Sequence, residues 1–219
     1  MQIPHKIIPI KFVTTDVIAK LRKRNFTSLV SELKSKQQSL TVIEKKLAND
    51  PSRTEVKALI DSRKEAKRHI NTVDKPLLDA QKEKQSIVDG YLDKVAKERQ
   101  IKGTTDLLIL QGYLPLFEKK ANIFSLARLD PEACRAALLL PAVKYKFSLV
   151  DKDMARLNQS LSQHTLGGDY AVLVEAQLDL DTIHTVRNEI FNDYSRADDE
   201  IINLMKSVVE FVPEGVTMN

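Results

Sequence analysis

The sequence predicts an all-α protein: an elongated antiparallel coiled coil, or a three- to four-helix bundle, carrying a small helical head. Three observations carry this. Apolar residues recur at heptad spacing over some forty residues near each end of the chain. Helix-breaking residues are sparse, with 6 glycines and 8 prolines in 219 residues, and aromatics make up only 5% with no tryptophan, a mix that disfavours a sandwich or barrel. Punctuation falls where the apolar pattern stops, at Asn49-Asp50-Pro51 and at Gly167-Gly168.

The first element, residues 1–14, holds prolines five apart with β-branched residues between them, so it reads as an extended arm that lies along the bundle or reaches a neighbouring subunit. Residues 15–101 read as an antiparallel helical hairpin. Its first helix runs from a cap at Thr15 or Asp16 to Ala48, with Phe26, Leu29, Leu33, Lys36, Leu40, Ile43 and Leu47 as its seam. Asp50 is then expected to cap a second helix with Pro51 at its first position, where a missing N–H costs nothing. That helix keeps one heptad phase through Val56, Leu59, Arg63, Ala66, Ile70, Val73, Leu77, Ala80, Lys84, Ile87 and Tyr91, and ends near Gln100. Pro76 lies inside it and predicts a kink or a brief interruption.

Residues 102–147 differ in kind, with apolar patches at 107–117 and 136–143 separated by Asp130-Pro131-Glu132, a cap followed by a helix start. They read as a head or connector of short helices. Residues 148–212 return to long helices that complete the rod, and 213–219 form a tail behind Pro213 and Gly215. The last long helix starts at Asp169 after the glycine pair. Its seam is Leu173, Ala176, Leu180, Ile183, Arg187, Ile190, Tyr194, Ala197, Ile201, Leu204, Val208 and Phe211, apolar or aromatic everywhere except Arg187. At 1.5 Å per residue it would be about 64 Å long, against about 73 Å for the second helix, so the two should pack against each other.

Composition limits the functional classes. With 42% hydrophobic and 29% charged residues the chain can bury a core in one or two domains. Its lone cysteine, Cys134, cannot form an internal disulfide and reads as a buried filler. Residues 1–100 hold 22 Lys and Arg against 13 Asp and Glu, net +9, while the remainder hold 12 against 17, net −5, so a basic half and an acidic half should lie side by side and neutralise each other in part. The histidines His5, His69, His164 and His184 show no metal-ligand spacing, and no phosphate loop or nucleophile elbow occurs. The reading is therefore of a non-enzyme with no cofactor, no metal and no small-molecule substrate. The start of the chain lacks an apolar signal region, which makes the cytoplasm the default compartment, with signal-less secretion as the other route.

Binding classes remain. The leading expectation is a structural or assembly component that meets a protein partner or copies of itself along a seam formed by Phe26, Leu33, Leu40, Leu47, Leu77, Ile87, Tyr91, Leu180, Ile190, Tyr194, Ile201 and Leu204. Arg63 and Arg187, charges at seam positions, would fix register or partner choice. A second class is a membrane-active protein whose lipid-seeking residues are Leu107, Leu108, Ile109, Leu110, Leu114 and Phe117 with Leu138, Leu139 and Leu140. The layout, a short apolar head between two long helices, resembles that of helical pore-forming toxins, an analogy of architecture with no motif behind it. The third class is nucleic-acid binding through Lys20, Arg22, Lys23 and Arg24, which lack interleaved aromatics.

Overall fold

The computed structural model describes residues 6–210, and side chains as far as residue 207. His5, the seam position Phe211 and the 213–219 tail lie outside the described residues, and the seam position Val208 is described in its backbone alone. Among those described, every regular element is helical: α1 Thr15–Lys23, α2 Thr27–Ala48, α3 Glu55–Glu98, α4 Thr104–Gln111, a 3-10 turn Leu114–Leu116, α5 Lys120–Leu129, α6 Pro131–Leu139, α7 Pro141–Lys146, α8 Asp151–Leu166 and α9 Asp169–Glu210. They form two compact units. The first combines the chain up to Glu83 with the chain from Asp179 onward, and the second is Lys84–Leu178, so α3 and α9 each contribute to both.

In the first unit, α3 and α9 run antiparallel. Arg63 of α3 meets Asp198 of α9 at 2.6 Å, and Asp74, eleven residues further along α3, meets Arg187, eleven residues earlier in α9, at 2.7 Å. The apolar seams lie between them. Leu59, Ala66, Ile70, Val73 and Leu77 are buried with Ile183, Ile190 and Ile201, and α2 adds Leu33 and Leu40, both wholly inaccessible. Each such leucine or isoleucine contributes about 1.5–3 kcal/mol by leaving water.

The extended arm fills this unit's remaining groove. Ile10 and Phe12 are 1% and 0% exposed, and the Phe12 ring sits 6.0 Å from Tyr194. A buried extended backbone without a strand partner must find side-chain partners. Gln37 of α2 accepts from the Phe12 and Val13 N–H groups and donates to the Ile10 carbonyl, and Glu44, two turns further along α2, accepts from Ile10 N–H at 3.0 Å. The arm therefore lies along its own bundle.

The second unit is organised around α6. Ala133, Cys134, Ala136 and Ala137 are fully buried, and their small side chains let α4, α5, α7 and α8 approach one helix. Leu110, Phe117, Ile123, Ala127, Leu157 and Leu161 close over them. Asp130 caps α6 by accepting from Glu132 N–H at 2.9 Å with Pro131 in the first turn, as the sequence leads one to expect, and Gly167 ends α8 at a φ of +53°.

Four local expectations are corrected. The first helix is two helices, because Asn25 takes a left-handed φ of +60° and Phe26 N–H turns back to the Leu21 carbonyl. Its cap is Thr14, whose hydroxyl accepts from Val17 N–H, rather than Thr15 or Asp16. Asp50 does not cap α3: it holds a turn, accepting from Ser52 and Arg53, and α3 starts at Glu55 behind Thr54, whose hydroxyl accepts from Lys57 N–H. Finally, α3 passes Pro76 without a break. The carbonyl that Pro76 deprives of a donor belongs to exposed Thr72 and can turn to water.

Candidate functional site

The residues expected to meet a partner are mostly spent on the chain's own core. Leu33, Leu40, Leu77 and Ile201 are 0% exposed, Ile190 is 1%, and Leu47 and Leu180 are buried. Phe26, Tyr194 and Leu204 pack half-buried against the same cluster. Ile87 and Tyr91 are half-buried, and the buried line of α3 passes instead to Val88 and Val95. The step from Leu77 to Val88 is eleven residues, three turns, so the buried line shifts by one position from the heptad phase that leads to Ile87 and Tyr91. A heptad pattern guarantees that a seam is covered, and here the cover is intramolecular.

Charge follows the same logic. Lys20 pairs with Glu189, Arg24 with Asp179 at 2.8 Å, and Arg63 with Asp198, so cations of the basic half meet anions of the acidic half inside the first unit. Of the four residues expected on phosphates, Lys20 and Arg24 are thus engaged within the chain, and Arg22 and Lys23 point to solvent. Arg63 and Arg187 reach outward along the seam edge to carboxylates: Arg63 forks onto both oxygens of Asp198, and Arg187 onto both of Asp74 and onto Gln81. Both bridge α3 to α9.

The apolar patches of the connector divide. Leu110 and Phe117 are inaccessible and Leu140 nearly so, while Leu107, Leu114, Leu138 and Leu139 are half-buried. Leu108 and Ile109, by contrast, are 62% and 51% exposed, as is Leu116 at 51% on the 3-10 turn that follows. Among the described residues, 10 of the 13 exposed large hydrophobic side chains belong to the second unit, the smaller of the two. Scattered single cases need no explanation, but this concentration does.

A buried arginine fixes the part of the unit that presents these residues. Arg135, 4% exposed in the middle of α6, donates to the Glu98 and Gln100 carbonyls at the end of α3, to both oxygens of Asp106 in α4, and to Glu132. These bonds hold the Asp106 carboxyl below the usual range. Nearby, Tyr113 donates to Asp130 at 2.7 Å, and its phenol is pushed up to about 12 by that bond. The sequence did signal Arg135: a single cation inside Glu-Ala-Cys-Arg-Ala-Ala-Leu-Leu-Leu must find several acceptors or face water.

Between α5 and α8 lies an open cleft of about 370 Å³ lined by Ala121, Phe124, Ser125, Arg128, Leu129 and Arg156. Sequence reading missed it, because its two sides come from helices separated by the whole of α6 and α7. The remaining chemistry-bearing residues are quiet. The Cys134 thiol is buried, donates to the Leu157 carbonyl, and is pushed up to about 12 by burial. His69 and His164 bond backbone carbonyls, and among the described residues no group of three or more potential ligands is placed to hold a metal. Comparison with protein-family models, with curated proteins and with solved structures finds no match to this chain.

Proposed function

We propose that the chain is a non-catalytic assembly protein that binds a protein partner or a second copy of itself, and that the contact is made by the second unit. One observation carries this reading: the heptad seams are consumed in the first unit's core, whereas large apolar side chains left in water gather on the second. Leaving a leucine such as Leu108 or Leu129 exposed forgoes about 1.5–3 kcal/mol of burial, and a unit that leaves many such side chains in water is the better candidate for a surface that is covered part of the time. The first unit spends its seam on itself and ties α3 to α9 with ion pairs.

The experiment is site-specific photo-crosslinking in cells. A benzophenone side chain at Leu108 or Leu116 should yield discrete adducts, and one at Val42 or Ile60, exposed in the first unit, should not. An adduct of twice the chain mass identifies self-association. Adducts at Val42 and Ile60 with none at Leu108 and Leu116 would overturn the reading.

A second reading is favoured by lysines beside the same residues: Lys119 follows Leu116 on the exposed surface, and Lys102, before α4, and Lys120 add positive charge there although they pair with Glu98 and Asp153. Apolar and basic side chains together suit an anionic membrane surface. Among the described residues no helix is long and apolar enough to cross a membrane, so such contact would be interfacial. Flotation with phosphatidylserine vesicles tests it, and protein that stays at the bottom of the gradient at low salt refutes it.

A further inference from the structure

We infer that the α5–α8 cleft is a recognition site for an acidic peptide segment, one that offers a carboxylate next to an apolar side chain. The inference rests on the protein-binding reading above and names the chemistry of the partner. Its volume of about 370 Å³ suits one or two side chains.

Its cations are prepared for a carboxylate. The Arg156 guanidinium carbon lies 4.7 Å from the centre of the Phe124 ring, within the range of a cation–π contact, which favours the planar group at this place in the cleft. Arg128, on the other side of the cleft, makes no ion pair among the described residues. The acid that Arg156 attracts already has other partners: Asp153 is taken by Lys120 at 2.5 Å and by Val150 N–H at 2.9 Å, and these bonds, ahead of the attraction of Arg156, hold its carboxyl below the usual range. Arg128 and Arg156 thus both line the cleft, and neither is closed in an ion pair among the described residues, although Asp153 feels the Arg156 charge.

The other residues say what is attached to the anion. Leu129, 75% exposed at the rim, offers an apolar contact to a neighbouring side chain. The Ser125 hydroxyl gives its proton to the Ala121 carbonyl at 3.2 Å, so its oxygen is left to accept, which suits a peptide N–H. The one aromatic face in the cleft is occupied by Arg156, which leaves no stacking platform for a nucleobase. An open cleft of about 370 Å³ between two helices is sized for a protruding side chain rather than for a broad lipid surface.

The test uses the full chain and a fluorescein-labelled peptide of alternating glutamate and leucine, with its glutamine–leucine counterpart as control, followed by fluorescence anisotropy at low and high salt. The glutamate peptide should bind more tightly, and the double variant R128A/R156A, which removes both exposed arginine–carboxylate contacts, should lose about tenfold in affinity. Arg156→Lys should lose affinity as well, because an ammonium cannot lie as a fork over the ring. All these side chains are on the surface, so unchanged circular dichroism and melting of the variants establish that folding is intact. Equal binding of the two peptides, undiminished binding by the double variant, or no binding would each overturn the inference. Binding to phosphatidylserine vesicles that is lost in R128A/R156A, with no peptide binding, would assign the site to a lipid headgroup and overturn it also. Crosslinks at Leu108 that persist while the peptide fails to bind would remove this site alone, and their loss would remove the wider reading.

Discussion

Replacing Arg135 by methionine removes five hydrogen bonds in one step while keeping most of the side-chain volume. Two of the acceptors are the Glu98 and Gln100 carbonyls at 2.8 and 2.9 Å, which have Arg135 as their side-chain donor at the point where α3 ends. An orphaned acceptor of this kind costs about 1–3 kcal/mol, and both groups lie close enough to the surface for water to recover part of it, which sets the loss at about 3 kcal/mol. In a chain of this length each kcal/mol moves the melting temperature by about 2–4 °C, so R135M should melt about 6–12 °C lower if the second unit limits stability. Because two units need not melt together, hydrogen–deuterium exchange read segment by segment is the sharper assay: protection should fall in 99–111 and persist in 59–77. Arg135→Lys should recover only part of the loss, since one ammonium cannot reach acceptors on α3, α4 and α6 together. A methionine variant that melts within about 2 °C of the parent with unchanged exchange in 99–111 would refute the reasoning.

Other outcomes follow from the same geometry. Leu40→Ala, at a position wholly inaccessible in the first unit's core, should destabilise by about 2–5 kcal/mol in urea titration. Burial raises the Glu44 carboxyl above its ordinary value, against a smaller lowering by Ile10 N–H, so the folded chain holds that proton more tightly than the unfolded one. The favourable contribution is therefore complete below the ordinary carboxylate range and is lost as pH rises through the raised value; Glu44→Gln, which keeps an oxygen for Ile10, should be more stable than the parent at neutral pH and lose that advantage in acid. A double-mutant cycle on Arg187 and Asp74, whose side chains are 22% and 15% exposed, should return a coupling of about 1 kcal/mol, and additivity would show that the pair does not hold α3 to α9. Cys134 should react with a thiol reagent only at the rate of unfolding, because its thiol is buried and pushed up to about 12.

How far the sequence could be read depended on whether a feature was periodic or tertiary. The long helices were legible because Leu59 to Leu77 and Leu173 to Ile201 repeat an apolar residue every three or four positions, and that repetition over many turns outweighs the one proline in α3. The break between α1 and α2 was not legible from periodicity, since it rests on the backbone of Asn25 alone. The seam's owner was not legible either. Leu33, Leu40 and Ile201 advertise a covered face, but whether the cover is the arm and α9 of the same chain or a second chain depends on how the pieces fold back, which spacing does not encode. The apolar run 107–117 looked uniform in composition, yet helical geometry turns Leu110 inward and Leu108 and Ile109 outward, so only some of the expected lipid-seeking residues are available to anything. The cleft's arginines stand twenty-eight positions apart and become neighbours only once α6 has docked against both α5 and α8.

The account turns on which apolar residues are covered by the chain itself. Hydroxyl-radical footprinting of dilute purified protein reads this directly through the oxidation rates of individual side chains. Leu129 and Tyr145, 75% and 81% exposed, should oxidise rapidly, whereas Phe12, Leu40 and Phe117, all at 0%, should stay protected, with Leu108 and Leu116 among the reactive set. Rapid oxidation of Phe12 and Leu40 in a protein that remains helical, with Leu108, Leu116 and Tyr145 protected, would mean that the heptad seams are the open surface and would contradict it.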